Sequence, residues 1–108
     1  MTVPSVLQDV IRLTNAGDSN GFVNLFENEG LIDDWGKKYV GRDHIARWNQ
    51  TDNIGRQSQF TLVDATQEAA NQWLLHIKVA GQGFNGTSPF RFTLSAAGKI
   101  AAMQIVPD

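Results

Sequence analysis

The sequence predicts an α+β domain in which helices come first and a sheet follows. Apolar residues at helical spacing dominate the first half, whereas the second half contains four segments with the apolar alternation of strands. Short turn-forming stretches separate these four segments, and connections of that length favour antiparallel neighbours. Helices followed by a run of strands indicate two layers, with the helices covering one face of the sheet.

Length and composition agree with one folded domain spanning residues 1–108. The chain is 42% hydrophobic and 19% charged, which is typical of a globular protein. Its net charge is −2 and its nine Lys and Arg residues are scattered, which argues against a nucleic-acid partner. It has no cysteine, so a thiolate nucleophile and a disulfide framework are excluded. Without a long apolar run or a basic leader, we expect a cytoplasmic protein with no membrane segment.

Two helices are predicted in the first thirty residues. Apolar residues recur at helical spacing over residues 6–14, and Pro4 suits the first turn of that helix. The stretch "NAGDSNG" (15–21) ends it, and Asp18 or Ser19 is a suitable cap for a second, shorter helix. We expect the second helix to include Phe26 and to end at Gly30.

Extended structure and a third helix are predicted next. "LIDDW" (31–35) is expected to be extended, and Tyr39 and Val40 to form a short strand. Residues 42–52 then predict a helix, with Asp43 in the first turn, where the helix dipole favours a negative charge.

The second half predicts four strands, at residues 58–66, 71–81, 88–95 and 99–106. Alternation places Phe90 and Phe92 on one face of their strand and Arg91 on the other. In the preceding strand, Leu74 and His76 lie on the more polar face. We expect this mixed outer face to be the surface of a homodimer.

Neither a nucleotide site nor a metal site is predicted. "GQGFNG" (81–86) has the spacing of a dinucleotide-binding loop, but such a loop must open a helix, and here a strand follows. The two histidines, His44 and His76, are far apart and have no thiol or histidine partner at metal-ligand spacing. No cofactor and no metal are therefore expected.

The adjacent aspartates of "LIDDW" are expected to diverge. In an extended segment, Asp34 points to the same side as Ile32, and Asp33 points to the opposite side. They therefore do not form a proton-sharing pair. If Asp34 faces an apolar interior, removal of water makes its carboxylate a stronger base.

Three stretches carry a resemblance to a known family: "LTNAGDSNGFVNLFENEGLIDDW", "GRDHIARW" and "FRFTLSAAGKIAAMQIV". In order and spacing they resemble the nuclear transport factor 2-like superfamily, in particular its SnoaL-like and ketosteroid isomerase-like members. The resemblance covers nearly the whole chain. It implies a cone-like α+β barrel with the N-terminal helices packed into the concave face of a curved antiparallel sheet. It also implies an apolar pocket and a homodimer.

The resemblance assigns roles to three positions. Asp34 falls where ketosteroid isomerases carry their catalytic base. Their two hydrogen-bond donors to the developing oxyanion would fall at Val10 and Phe90, and neither residue can donate from its side chain. Because a lost oxyanion donor typically costs on the order of 10²-fold or more in rate, these residues argue against steroid isomerisation by that mechanism.

The expected function is acid–base catalysis of the isomerase, cyclase or dehydratase type on a small apolar oxygenated molecule. Asp34 is the expected base and Tyr39 or His44 the expected proton donor. The predicted substrate-binding residues are Val10, Ile32, Trp48, Phe90 and Phe92. The alternative is a module of the same fold that binds a small molecule or dimerises without catalysing a reaction.

Overall fold

The computed structural model describes residues 2–106, which form helices packed on one face of a six-stranded sheet. The helices are α1 (Ser5–Ala16), α2 (Ser19–Asn24) and α3 (Arg42–Asp52), and a 3-10 turn, Ile54–Arg56, follows α3. The strands are β1 (Phe26–Asp34), β2 (Lys37–Val40), β3 (Gln59–Ala69), β4 (Gln72–Ala80), β5 (Gly86–Leu94) and β6 (Ile100–Ile105). The predicted order of elements is therefore confirmed.

The sheet is mixed, with strand order β2-β1-β6-β5-β4-β3. Four of its neighbouring pairs are antiparallel, but β1 and β6 run parallel, so the expectation of a wholly antiparallel sheet is wrong at this pair. The reason is topological: the chain leaves β1 through β2 and α3, and the β3–β6 meander returns it to the free side of β1. The sheet is open, with β2 and β3 as its edges.

Turn residues end the first helix and begin the second. Gly17 terminates α1 in the left-handed conformation (φ 71°), which glycine adopts without steric cost. Asp18 caps α2, because its Oδ1 accepts a hydrogen bond from Gly21 N at 2.9 Å. Among residues 2–106, no helix is long and apolar enough to cross a membrane.

Helix α2 is shorter than predicted. It ends at Asn24, and β1 already begins at Phe26. Ile100 N donates to Leu25 O at 2.9 Å, and Phe26 pairs with Ile100. Pairing with β6, which is distant in sequence, therefore overrides the local helical pattern of these residues.

The core lies between the helices and one face of the sheet. The alternation predicted for β4 is confirmed, since Trp73, Leu75, Ile77 and Val79 are all buried. The helices contribute further buried side chains, among them Leu7, Val10, Phe22, Ile45 and Trp48. Burial of such side chains typically contributes ~1.5–3 kcal/mol each, so this interface is the main source of stability.

A hairpin joins β4 and β5. The loop at residues 81–85 is followed directly by β5, which begins at Gly86, so a strand and not a helix follows the glycines. Asn85 closes the loop: its Oδ1 accepts from Gly81 N at 3.1 Å and its Nδ2 donates to Gly81 O at 2.8 Å. The hairpin interpretation of these glycines is confirmed.

Candidate functional site

A cavity of about 350 Å³ opens between the C-terminal end of α3 and one end of the sheet. The sheet contributes Asp34, Phe60, Val79, Ser88, Phe90 and Ile105. The opposite wall consists of Trp48, Asp52, Asn53, Arg56 and Ser58, and Trp35, Gln82, Gly83 and Phe84 complete the lining. The lining therefore combines aromatic and aliphatic side chains with charged and hydroxyl groups.

Asp34 is the carboxylate that the sheet directs into this cavity. It stands at the end of β1 beside Ile105 of β6. Trp48 Nε1, on α3, donates a hydrogen bond to Asp34 Oδ2 at 3.0 Å. Trp48 is only 2% exposed and its ring stacks on Phe22, with 6.2 Å between centroids, so the donor is held in place. Within residues 2–106 no hydrogen bond occupies Asp34 Oδ1, which leaves that oxygen available to a ligand.

Asp33 lies on the other side of the sheet. Its Oδ1 accepts from Gly36 N at 2.8 Å and so closes the turn between β1 and β2. It also borders a separate groove on the outer face, which it shares with Lys38 and Arg91. The predicted divergence of Asp33 and Asp34 is confirmed.

Two exposed aromatic residues border the cavity. Trp35 is 60% exposed and Phe84 is 54% exposed. Trp35 has a φ of 54°, a conformation that an L-residue adopts only at a cost, on the order of 1 kcal/mol. The turn after Asp34 thus places the indole in the cavity lining.

The polar wall contains buried side chains with unused hydrogen-bonding groups. Asn53 is 1% exposed, and its Nδ2 donates to Asn49 Oδ1 at 3.0 Å and to Thr14 Oγ1 at 3.4 Å. Ser58 and Ser88 are 2% and 5% exposed; within residues 2–106 no hydrogen bond is found for either hydroxyl, and neither hydroxyl oxygen is fully enclosed. Both serines line the cavity, so their hydroxyl groups can bond a ligand.

Three of the predicted site residues come together in this cavity: Asp34, Trp48 and Phe90. Phe90 also packs edge-on against Phe60, with 5.5 Å between ring centroids. Phe60 thus extends the aromatic wall that Phe90 begins.

The other predicted site residues lie elsewhere. Val10, Ile32 and Phe92 are fully buried in the core and are not part of the cavity lining. Tyr39 is half-buried on β2, and the Lys37 ammonium lies 5.6 Å from its ring centroid. His44 is exposed on α3, and its Nδ1 lies 2.7 Å from Val40 O. Neither Tyr39 nor His44 lines the cavity.

Several lining residues were not predicted. Ser88 lies two positions before Phe90 on the same strand, so alternation already places it on the same face. By contrast Asn53, Arg56 and Ser58 lie in and beside the 3-10 turn, where no periodic pattern indicates which side chains point inward. Only the folded chain brings them opposite Asp34.

Comparison with known proteins gives the fold of this chain a wider context. No protein-family model matches the sequence, and no curated protein matches it. Among solved structures, a candidate polyketide cyclase from Sinorhizobium meliloti superposes with a TM-score of 0.86 at 21% identity, covering 96% of this chain and 95% of that one. Δ5-3-Ketosteroid isomerase from a Mycobacterium species superposes with a TM-score of 0.82 at 15% identity, covering 96% and 91%.

A third structure contains a ligand. It is a Mycobacterium tuberculosis protein in complex with estradiol-17beta-hemisuccinate, with a TM-score of 0.85 and 15% identity, covering 96% of this chain and 92% of that one. At these identities the similarity defines the fold. The chain has the nuclear transport factor 2-like fold that the sequence resemblance implied.

Proposed function

We propose that this protein is an enzyme that binds a small apolar oxygenated molecule in the cavity and uses Asp34 as a general base. The reaction type is an isomerisation, cyclisation or dehydration that begins with removal of a proton. The observation that carries the proposal is the Asp34 carboxylate in the cavity wall. Trp48 Nε1 holds one of its oxygens at 3.0 Å, and the other is free. A fixed carboxylate beside Phe90 and Ile105 is well placed to take a proton from a bound carbon acid.

The proposed reaction needs a hydrogen-bond donor that stabilises the negative charge developing on the substrate oxygen. Val10 and Phe90 stand where related isomerases have donors, and Val10 is buried in the core away from the cavity. Ser88 supplies a replacement, because its free hydroxyl lies on the same face of β5 as Phe90. In this mechanism Asp34 takes the proton, Trp48 orients Asp34, and Ser88 donates a hydrogen bond to the oxyanion.

The structural neighbours support a hydrophobic ligand. Their descriptions name a candidate polyketide cyclase, a ketosteroid isomerase and a complex with an estradiol derivative. Polyketides, ketosteroids and the estradiol derivative are small, largely apolar, oxygenated molecules. A cavity of about 350 Å³ is within the usual size range of small-molecule sites.

The ring opening of 5-nitrobenzisoxazole tests the proposed base. One proton abstraction from carbon breaks the N–O bond of this small apolar compound and releases a coloured phenolate. We expect saturable catalysis by the wild type and a loss of about 100-fold or more in kcat/KM for Asp34→Asn. Asp33→Asn, on the opposite face, is the matched control and should retain the wild-type rate. Equal rates for wild type and Asp34→Asn would refute the base assignment.

A second candidate function is ligand binding without catalysis. It is favoured by Val10 and Phe90, because neither side chain can stabilise an oxyanion. The same experiment separates the two functions. A binding protein would take up the neutral fluorescent probe N-phenyl-1-naphthylamine in the cavity and give no Asp34-dependent ring opening.

We also propose that two copies of the chain associate through the outer face of the sheet. Leu74 is half-buried on β4, between Thr66 of β3 and Arg91 of β5. Two polar contacts flank it: His76 Nδ1 lies 2.6 Å from Asp64 Oδ1, and Arg91 forms an ion pair with Glu68, with 2.8 Å between Nε and Oε1. An apolar side chain surrounded by polar groups is compatible with a dimer interface, which has an apolar core and a polar rim. Nucleic acid, a membrane and a cofactor have no part in this proposal.

A further inference from the structure

Arg56 gives the cavity a positive charge opposite the sheet. It is the last residue of the 3-10 turn and lines the cavity together with Asn53 and Ser58. Its Nε donates to Thr51 O, at the end of α3, at 2.9 Å. That bond uses one donor of the guanidinium and leaves the two terminal amino groups for other partners.

The surrounding backbone holds Arg56 in position. Gln82 N donates to Arg56 O at 2.9 Å. A Cβ added to Gly83 would lie 3.4 Å from Arg56 Cγ, so the hairpin loop packs closely on the aliphatic stem of the arginine. The turn itself requires Gly55, since a Cβ there would lie 1.6 Å from Gln50 O. These contacts hold the backbone and stem of Arg56, and the bond from Nε to Thr51 O orients its exposed guanidinium, which reduces the entropy cost of binding.

Arg56 has no acidic partner within the described residues. The ion pairs of Arg or Lys found in residues 2–106 are Arg12–Asp9 and Arg91–Glu68, and the remaining close contact with a carboxylate is made by His76 to Asp64. Nor do the terminal amino groups of Arg56 hydrogen-bond to any protein atom in that part of the chain. An arginine presents its donors in a planar fork that matches the two oxygens of a carboxylate.

From this geometry we infer that the cavity selects ligands that carry an anionic group, with Arg56 as the residue that recognises it. The class is an amphipathic organic acid whose apolar body lies against Phe60 and Phe90. Its carboxylate or equivalent anion faces Arg56. The inference rests on the proposed function only in that a small molecule occupies this cavity, and it does not require catalysis.

Two carboxylates in the lining determine how such a ligand is oriented. Asp34, at the end of β1, repels an anion, so the charged end lies at Arg56 and the reacting atoms lie at Asp34. Asp52 also lines the cavity, and its Oδ2 accepts from Thr51 Oγ1 at 2.7 Å. The carboxylate of Asp52 opposes anion binding, so substitution of Asp52 by a neutral residue should strengthen anion binding.

A pair of fluorescent probes that differ in one group provides the test. 8-Anilinonaphthalene-1-sulfonate and N-phenyl-1-naphthylamine share one ring system, and only the first carries a sulfonate. Arg56→Gln should raise the Kd of the sulfonate about fivefold, as expected for a partly exposed ion pair, and change the Kd of the neutral probe less than twofold. Arg56→Lys should retain part of the sulfonate affinity, and Asp52→Asn should increase it.

Arg47→Gln is the matched control, because Arg47 is exposed on α3 and does not line the cavity. It should leave both Kd values unchanged. If Arg56→Gln affects both probes equally, or if Arg47→Gln has the same effect as Arg56→Gln, the inference is wrong although the cavity still binds ligands. If neither probe binds the wild type, ligand binding in this cavity is refuted and the inference with it. Normal binding of the neutral probe shows that each variant is folded.

Discussion

At the scale of single residues, Trp48 connects the core to the candidate base. One side of its ring system stacks on Phe22 in the core, and its Nε1 donates to Asp34 Oδ2. Because packing restrains the buried indole of Trp48, its hydrogen bond favours one orientation of the Asp34 carboxylate. The expected role of Trp48 is therefore positioning, and it is distinct from contact with the reacting atoms.

Trp48→Phe separates this role from packing. Phenylalanine retains an aromatic ring against Phe22 but cannot donate to Asp34. We expect kcat for 5-nitrobenzisoxazole opening to fall about tenfold, with the Kd of N-phenyl-1-naphthylamine changed less than twofold. Trp73→Phe is the control, since Trp73 is buried in β4 and does not line the cavity. A parallel loss of kcat and probe binding in Trp48→Phe would assign Trp48 to packing alone.

At the scale of elements, Asn15 fastens α1 to β3. Its Nδ2 donates to Phe60 O at 2.9 Å, and its Oδ1 accepts from Phe60 N at 2.6 Å. The amide thus pairs with the backbone of the edge strand as a neighbouring strand would. Because Phe60 is part of the cavity wall, this contact also positions the site.

Substitution of Asn15 tests the contact. Asn15→Ala removes two hydrogen bonds and should lower the free energy of unfolding by about 1–2 kcal/mol. Asn15→Asp keeps an acceptor for Phe60 N but places a second oxygen opposite Phe60 O, so it should cost at least as much. Urea denaturation measures both, with exposed Asn20→Ala expected within about 0.5 kcal/mol of wild type. A wild-type value for Asn15→Ala would show that the two bonds do not stabilise the fold.

At the scale of the whole molecule, the outer face of the sheet carries the Arg91–Glu68 ion pair, whose contribution to stability depends on pH. The hydrogen bond from Arg91 holds the pKa of the Glu68 carboxyl below its ordinary value, and the same contact raises the pKa of Arg91. Because the pKa of this carboxyl is lowered, the pair stabilises the fold at pH values above the ordinary pKa of a glutamate side chain. That contribution is lost as the pH falls through the pKa of the folded state.

The proposed dimer can be measured directly. Light scattering during gel filtration should give a mass of twice the 11.9 kDa of one chain. Leu74→Glu places a charge in the proposed interface and should shift the protein to monomers. Val63→Glu is the control, because Val63 is already 57% exposed, in a bulge of β3. A monomeric wild type, or a dimer that Leu74→Glu leaves intact, would refute the proposed interface.

Local sequence patterns predicted the helices and strands well where the spacing of apolar residues matches the face that is buried. Trp73 and Leu75 lie on the buried face of β4, as alternation indicated, and α3 covers residues 42–52 as predicted. The prediction failed at Phe26, where helical spacing and strand pairing compete. Its pairing with Ile100 is a contact across most of the chain that no local pattern reports.

The candidate site was predictable only in part. Strand alternation separated Asp34 from Asp33 and placed Phe90 inward, because side-chain direction in a strand follows from position alone. No such rule governs a 3-10 turn or a hairpin loop. Arg56 and Ser58 therefore could not be predicted as lining residues, because their position in the cavity depends on how α3 packs on the sheet.

By itself, the sequence determined the class of fold, the buried faces of β4 and β5, and the choice of Asp34 over Asp33 as the candidate base. These properties depend on the period of the backbone and on hydrophobic burial, which adjacent residues encode. The tertiary structure alone decided the parallel pairing of β1 with β6, the bond from Trp48 to Asp34, and the position of Arg56 in the cavity. Each of these depends on how elements distant in sequence meet, and that geometry follows from packing of the whole chain.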